Sequence, residues 1–280
     1  MAIKNSIWRF WWPLLLLLPA LTQAMPDTGF VLVKGGMYTV GRKHHFNNPQ
    51  RTVTVSSYYI SRTEITNKQF AEFVAATGYV TDAERLHNSM VFYPGLQEYQ
   101  WKQDTTAWWR FPNGKTRGGI EQKMDHPVTG ISYTDAEAYC RWAGVRLPFL
   151  DEWEIACRAG SATAYFWGND KLPEVKNYGN IWHGRNHLKA DSSDGYMYTS
   201  PVGRFQPNAW GLYDMYGNVF EFCQGKSETT KSNNRVVCAR GGSWWCSKNT
   251  CSFFNSYDIG RVNRKASFSN QGFRVVKDVQ

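Results

Sequence analysis

The sequence has no internal repeat, no heptad and no low-complexity linker, which removes solenoids, coiled coils and strings of small modules. Past residue 24 no apolar run approaches the ~20 residues that a membrane-spanning helix requires, so no helical span is expected there. Cysteine is sparse: there are six, none in C-x-x-C spacing, which excludes a thioredoxin-like exchange motif. The histidine pair His183 and His187 has no flanking cysteine pair, so a structural zinc site lacks its ligands. Basic residues are scattered apart from Arg261, Arg264 and Lys265, and the stripe that nucleic acid demands is missing. The formal charge of +9 is accounted for by solubility or by a weakly anionic partner.

The N-terminus has the three parts of a secretion leader: Lys4 and Arg9, an apolar block from Trp11 to Leu18, and Pro19-Ala20-Leu21-Thr22-Gln23-Ala24 ahead of a cut. Residues 1–24 are therefore expected to be removed, with no cysteine following for lipid attachment. Taking two positive charges and no acid from +9 leaves +7 on residues 25–280, which are expected to form one domain in an oxidising, periplasm-like compartment with no membrane attachment.

Phe30-Val31-Leu32-Val33, Tyr38-Thr39-Val40, Val53-Thr54-Val55 and Tyr58-Tyr59-Ile60 are β-branched or aromatic and predict short strands. Helices are predicted from Thr66 to Thr77, with Phe70, Phe73 and Val74 on one face and Gly78 as stop, and from about Leu150 to Ala159, stopped by Gly160. Between them Thr134-Asp135-Ala136-Glu137 predicts a capping box that opens a helix with Ala136, Tyr139, Cys140 and Ala143 inward. The fold class is α+β. After Gly160 the periodicity fades while Gly, Asn, Asp, Trp and Tyr accumulate, so this half is expected to be irregular and tied down by metals or disulfides. With 13 Trp, 15 Tyr and 16 Phe, aromatic rings must supply much of the core.

Two oxygen-rich stretches are candidate calcium loops. Asp214-Met215-Tyr216-Gly217-Asn218-Val219-Phe220-Glu221 puts acids at both ends with the Gly217 and Val219 carbonyls between, and Asn180-Ile181 with Asp194-Gly195-Tyr196 offers a second oxygen set. Cys223 and Cys238 bracket a hydrophilic loop with Lys226, Glu228 and Lys231, where a disulfide would stabilise by roughly 3 kcal/mol. In "GGSWWCSKNTC", Gly241 to Cys251, the cysteines Cys246 and Cys251 suit either a disulfide or a two-thiolate site for a soft ion such as Cu(I).

Read in order, "GGMYTVG", "TEITNKQFAEFVAATGY", "DHPVTGISYTDAEAYCRWAGVRLPFLDEWEIACRAG", "PVGRFQPNAWGLYDMYGNVFEF", "RGGSWWC" and "NQGFRVV" resemble the formylglycine-generating enzymes, or sulfatase-modifying factors, over nearly all of residues 25–280. The resemblance implies a compact, C-type-lectin-like domain of low regularity with two Ca2+ sites. One would be held by Asn180, the Ile181 carbonyl, Asp194 and the Tyr196 carbonyl, the other by Asp214, the Gly217 and Val219 carbonyls, and Glu221. It also implies an oxidase that uses O2 and a Cu(I) held by Cys246 and Cys251 to convert a cysteine of a sulfatase peptide to formylglycine, with Ser243 hydrogen-bonding near the reacting oxygen. Ser243, Cys246 and Cys251 keep the family spacing.

Three departures qualify the resemblance. Ser252-Phe253-Phe254-Asn255-Ser256 stands where the family has an arginine-rich run reaching toward substrate. Phe149 replaces a helix-capping threonine. The positions that secreted animal members of the family bridge to Cys140 and Cys157 are Val275 and Ser256, so these two cysteines are expected to pair with each other or to stay buried and free. The substrate is expected to be a peptide or peptide-derived molecule. A periplasmic branch of the family that oxidises the precursor of the pyoverdine siderophore is the alternative, and a non-catalytic, calcium-stabilised binding protein with a Cys246–Cys251 disulfide is the third reading. A monomer is expected.

Overall fold

The computed structural model describes residues 29–169, 175–189, 191–229, 235–251 and 253–279; the expected leader lies outside them. Among the described residues no helix is long and apolar enough to cross a membrane. The strands predicted near the start are present: β1 (Phe30–Val33), β2 (Gly36–Val40), β3 (Arg51–Val55) and β4 (Tyr58–Ser61). β2 and β3 form an antiparallel hairpin, whereas β4 is the middle strand of a sheet completed by the chain's last strand, Val276–Asp278. Ile60 and Tyr58, buried on that middle strand, face the core between the two ends of the domain.

Helix α1 (Asn67–Thr77) begins at a Thr66 cap in which Gln69 answers reciprocally, and it ends at Gly78 in the left-handed region. A short α2 (Asp82–Leu86) follows. Helix α3 (Tyr133–Ala143) corrects the expected cap. Ser132, not Thr134, is the N-cap, and its partner is Asp135 rather than Glu137. The reason is tertiary: Asp135 is fully buried and also accepts hydrogen bonds from the Asp82 N–H and the Tyr79 hydroxyl, while Glu137 turns outward to pair with Arg264. Helix α4 (Leu150–Arg158) has Phe149 at its N-cap; with no side-chain oxygen there, only the Glu152 carboxylate acts, accepting the Phe149 N–H at 2.8 Å.

The second half is more regular than its composition suggested. After a pair of three-residue strands, β5 (Ser89–Val91) and β6 (Lys102–Asp104), and a short helix α5 (Val175–Tyr178), come β7 (Phe220–Thr229), β8 (Arg235–Arg240), β9 (Gly260–Asn263) and β10 (Gln271–Gly272), the last closing strand being β11 (Val276–Asp278). They form a four-stranded sheet in the order β10-β7-β8-β9, with β10 parallel to β7. A register shift between Cys223 and Glu228 breaks the alternation of β7 and hides it from sequence periodicity.

Aromatic rings fill two adjoining cores. Phe70, Phe73, Trp109, Tyr139 and Phe273 pack around α1 and α3, and Phe92, Trp153, Trp182, Trp244 and Trp245 occupy the other. Burying a ring of ~150–250 Å² contributes about 4–6 kcal/mol of transfer free energy, so Trp109, Trp153 and Trp244, all fully buried, are main supports. Cys140 and Cys157 are buried and free, one of the two outcomes expected for them. The expected Cys223–Cys238 bridge is not formed, although β7 and β8 set the two residues directly opposite each other.

Candidate functional site

The chain leaves β8 at Arg240 and reverses over Gly241 and Gly242, both with positive φ. At Gly242 (φ 73) a Cβ would lie 2.7 Å from the backbone nitrogen of Phe254, so only glycine lets the two segments touch. That reversal sends Ser243 into the interior, fully buried. Its oxygen accepts from Asn270 Nδ2 at 2.9 Å and from the Trp245 N–H at 3.3 Å, leaving the hydroxyl proton to donate elsewhere. Its carbonyl accepts the Cys246 N–H at 2.9 Å, which closes a tight turn and fixes the first cysteine three residues on.

Cys246 and Cys251 are joined by a disulfide, their Cα atoms 4.5 Å apart, at 0% and 6% exposure. The Cys246 carbonyl accepts the Trp182 N–H at 2.8 Å, and the Cys251 carbonyl accepts the Ser247 N–H at 3.1 Å. Around them stand Trp244 and Trp245, with Phe92 and Trp101 in contact with both and Trp182 against Phe92. Tyr99, largely exposed, lies edge-on to Trp245 and forms the outer wall. The pair is therefore buried in a core cluster rich in indole and phenyl rings.

Two supports escaped the sequence reading. Asn270 holds Ser243, and it lies in the "NQGFRVV" block, the one signal that could have found it. His187 is completely buried, stacks on Trp245 at 4.2 Å, and bonds the Trp245 carbonyl through Nε2 at 2.7 Å while Nδ1 meets Glu98. No pattern in the sequence links positions 98, 187 and 245. His183 and His187 do not form a pair: His183 faces Asp194 instead.

The oxygen-rich stretches adjoin one another through Asn218. Its side chain accepts from Asn180 Nδ2 (3.2 Å) and the Ser200 N–H (3.0 Å) and donates to Glu64 (3.0 Å), and its N–H donates to the Asn180 carbonyl at 2.7 Å. In the first set, Asp194 Oδ1 accepts the Tyr196 N–H at 2.9 Å, while the buried Oδ2 lies 3.2 Å from His183 Nε2 without hydrogen-bond alignment, so neither atom is satisfied. An orphaned buried carboxylate oxygen is what a hard cation would neutralise.

In the second set Gly217 (φ 86) brings the loop so close that a Cβ would fall 2.2 Å from the Asn180 carbonyl. Glu221 is turned to Arg274, which donates to both its oxygens at 2.5 and 2.7 Å, and to Trp153 Nε1 at 2.6 Å. The unsatisfied oxygens here are Asp214 Oδ1 and Glu64 Oε2. Burial pushes the Asp214 carboxyl up to about 6, and burial together with Asp214 and Glu221 holds Glu64 well above the usual range. Among the described residues no three His, Cys, Asp or Glu side chains converge as a metal cage, so both sets depend on carbonyl and amide oxygens as well.

Residues 18–279 match the sulfatase-modifying factor enzyme 1-like domain, labelled FGE-sulfatase. The chain is similar to the formylglycine-generating enzyme of Mus musculus, 34% identical over 92% of this chain and 76% of the relative. It is similar also to the inactive C-alpha-formylglycine-generating enzyme 2 of the same species, 36% identical over 78% of this chain and 75% of the relative. Among solved structures, PvdO from Pseudomonas aeruginosa superposes with a TM-score of 0.64 at 23% identity, covering 89% of this chain and 94% of that one, a likeness of fold. By the length of the family match and its identity to the formylglycine-generating enzyme of Mus musculus, the chain belongs to the sulfatase-modifying factor enzyme 1-like family.

Proposed function

We propose that this protein is an O2-dependent oxidase that converts a cysteine of a peptide substrate to formylglycine, with Cys246 and Cys251 as its Cu(I) ligands. The observation that carries the reading is the buried Ser243-Cys246-Cys251 turn, tied to Asn270 and walled by Trp244 and Trp245. The donor set fits Cu(I): two sulfurs on Cα atoms 4.5 Å apart satisfy a soft ion, and indole walls keep water and hard ligands away. Reduction of the disulfide frees both thiolates. Bound Cu(I) would supply activation of O2. Ser243, held by Asn270 and Trp245, has its hydroxyl proton free to donate at the reacting oxygen. His187 and Glu98 keep the Trp245 peptide rigid beside the first ligand.

Two calcium ions are part of the proposal, one at Asn180, Ile181, Asp194 and Tyr196 and one at Asp214, Gly217, Val219 and Glu221; the orphaned oxygens of Asp194 and Asp214 support them. The test is incubation of reduced, Cu(I)-loaded protein with a cysteine-containing peptide in air, reading loss of thiol and gain of a hydrazide-reactive aldehyde. Aldehyde formation that survives replacement of both cysteines would overturn the copper assignment. Turnover of a siderophore-precursor peptide without turnover of the cysteine peptide would move the reading to that alternative.

The disulfide favours one rival, a non-catalytic, calcium-stabilised binding protein in which Cys246–Cys251 is structural; a relative named as an inactive enzyme is 36% identical to this chain. That rival expects no Cu(I) uptake after reduction and no aldehyde from any peptide.

A further inference from the structure

The register of β7 and β8 pairs Cys223 with Cys238, and the backbone around them says which kind of pair it is. The Phe220 N–H donates to Asn270 and the Gln224 N–H to Pro148, both away from β8. Alternation therefore points the Cys223 N–H at β8 and makes Cys223 and Cys238 a hydrogen-bonded antiparallel pair, with a Cα spacing of ~5.5 Å. Directly opposed residues put their side chains on one face. The spacing falls in the ~4.4–6.8 Å window that a disulfide spans. Both residues are buried, at 1% and 7% exposure, and both line a cavity of about 300 Å³ with Tyr133, Phe149, Gln224 and Arg264.

We propose that Cys223 and Cys238 are an oxidisable dithiol, a second redox site apart from the Cys246–Cys251 pair, closed to a cross-strand disulfide by exchange with a disulfide-bearing oxidant. In the exchange one thiolate attacks the oxidant's S–S bond and forms a mixed disulfide, and the second displaces the oxidant's other sulfur. Two protons and two electrons leave the protein, one S–S bond forms in it, and the oxidant departs as two thiols. Cys238 is the less buried of the two, so it is the sulfur that an oxidant reaches first. The bridge pins β7 to β8 at the point where their register slips.

The test treats folded full-length protein with oxidised or reduced glutathione, alkylates under denaturing conditions, and digests with trypsin. Lys226, Lys231 and Arg235 lie between the two cysteines, so the bridge appears as a linked peptide two hydrogens lighter than its parts, and it disappears on reduction. Oxidation should raise the melting temperature of wild type by about 5 °C, with no rise in Cys223→Ala or Cys238→Ala. The same result in a Cys246→Ser/Cys251→Ser background separates this site from the other pair. Full alkylation of Cys223 and Cys238 after oxidation, or a linked peptide joining either to Cys140 or Cys157, overturns the proposal.

Discussion

Replacing Arg274 by methionine tests the electrostatic centre of the fold. The guanidinium is completely buried, and it donates to both Glu221 oxygens, to the Tyr213 carbonyl at 2.9 Å, and to the Ser61 and Arg62 carbonyls at 3.1 and 3.2 Å. Methionine keeps much of the volume and removes every donor. Breaking a buried ion pair from one side costs ~3–5 kcal/mol, and three carbonyls that lose a charged donor add roughly 1 kcal/mol each. The sum of at least about 5 kcal/mol is a large part of the ~5–15 kcal/mol that a domain has.

The pH dependence has a definite sign. Burial raises the Asp214 carboxyl to about 6, and Arg274 opposes that rise, so its loss moves Asp214 higher still. An acid whose folded pKa is raised contributes stability below its unfolded value of ~4 and loses it as pH climbs through the folded value. The penalty should therefore be larger at pH 7.5 than at pH 5. Adding Glu221→Gln removes the unpaired charge, keeps an acceptor for Trp153, and should recover more than about 2 kcal/mol. Urea unfolding followed by tryptophan fluorescence, in chelator-containing buffer at both pH values, measures all three quantities. A loss below about 1.5 kcal/mol at pH 7.5, an equal loss at pH 5, or a double variant no more stable than the single one refutes the argument.

Calcium at one hundred times its Kd should stabilise by about 2.7 kcal/mol and raise Tm by roughly 5–10 °C over chelated protein; a flat melt with no calcium by elemental analysis contradicts the proposed sites. Cys246→Ser and Cys251→Ser should each abolish tight Cu(I) binding in a competition titration, whereas Ser243→Ala should keep the metal and lose turnover about 100-fold; copper retained by either cysteine variant refutes the ligand assignment. Gly242→Ala should cost more than about 2 kcal/mol, since a φ of 73 and a backbone nitrogen 2.7 Å away both forbid a Cβ; a change under about 0.5 kcal/mol by thermal melt would show that the Phe254 segment gives way.

What the sequence determined alone was local. Thr66 with Gln69, the stop at Gly78, and the β-branched runs of the first four strands each act within a few residues, where propensity and capping decide the outcome. The Ser243-Cys246-Cys251 spacing was legible for the same reason, because one turn holds it. Tertiary structure decided the rest. The Ser132 cap displaced the Thr134 box because Asp135 answers to Asp82 and Tyr79, more than fifty residues upstream. The β10-β7-β8-β9 sheet, the Asn270 bond to Ser243, the His187 brace on Trp245 and the Arg274–Glu221 pair all join residues whose separation carries no periodic signal. Each depends on a partner brought near only when the aromatic cores close, since a buried polar group must find its hydrogen bond wherever the fold puts one.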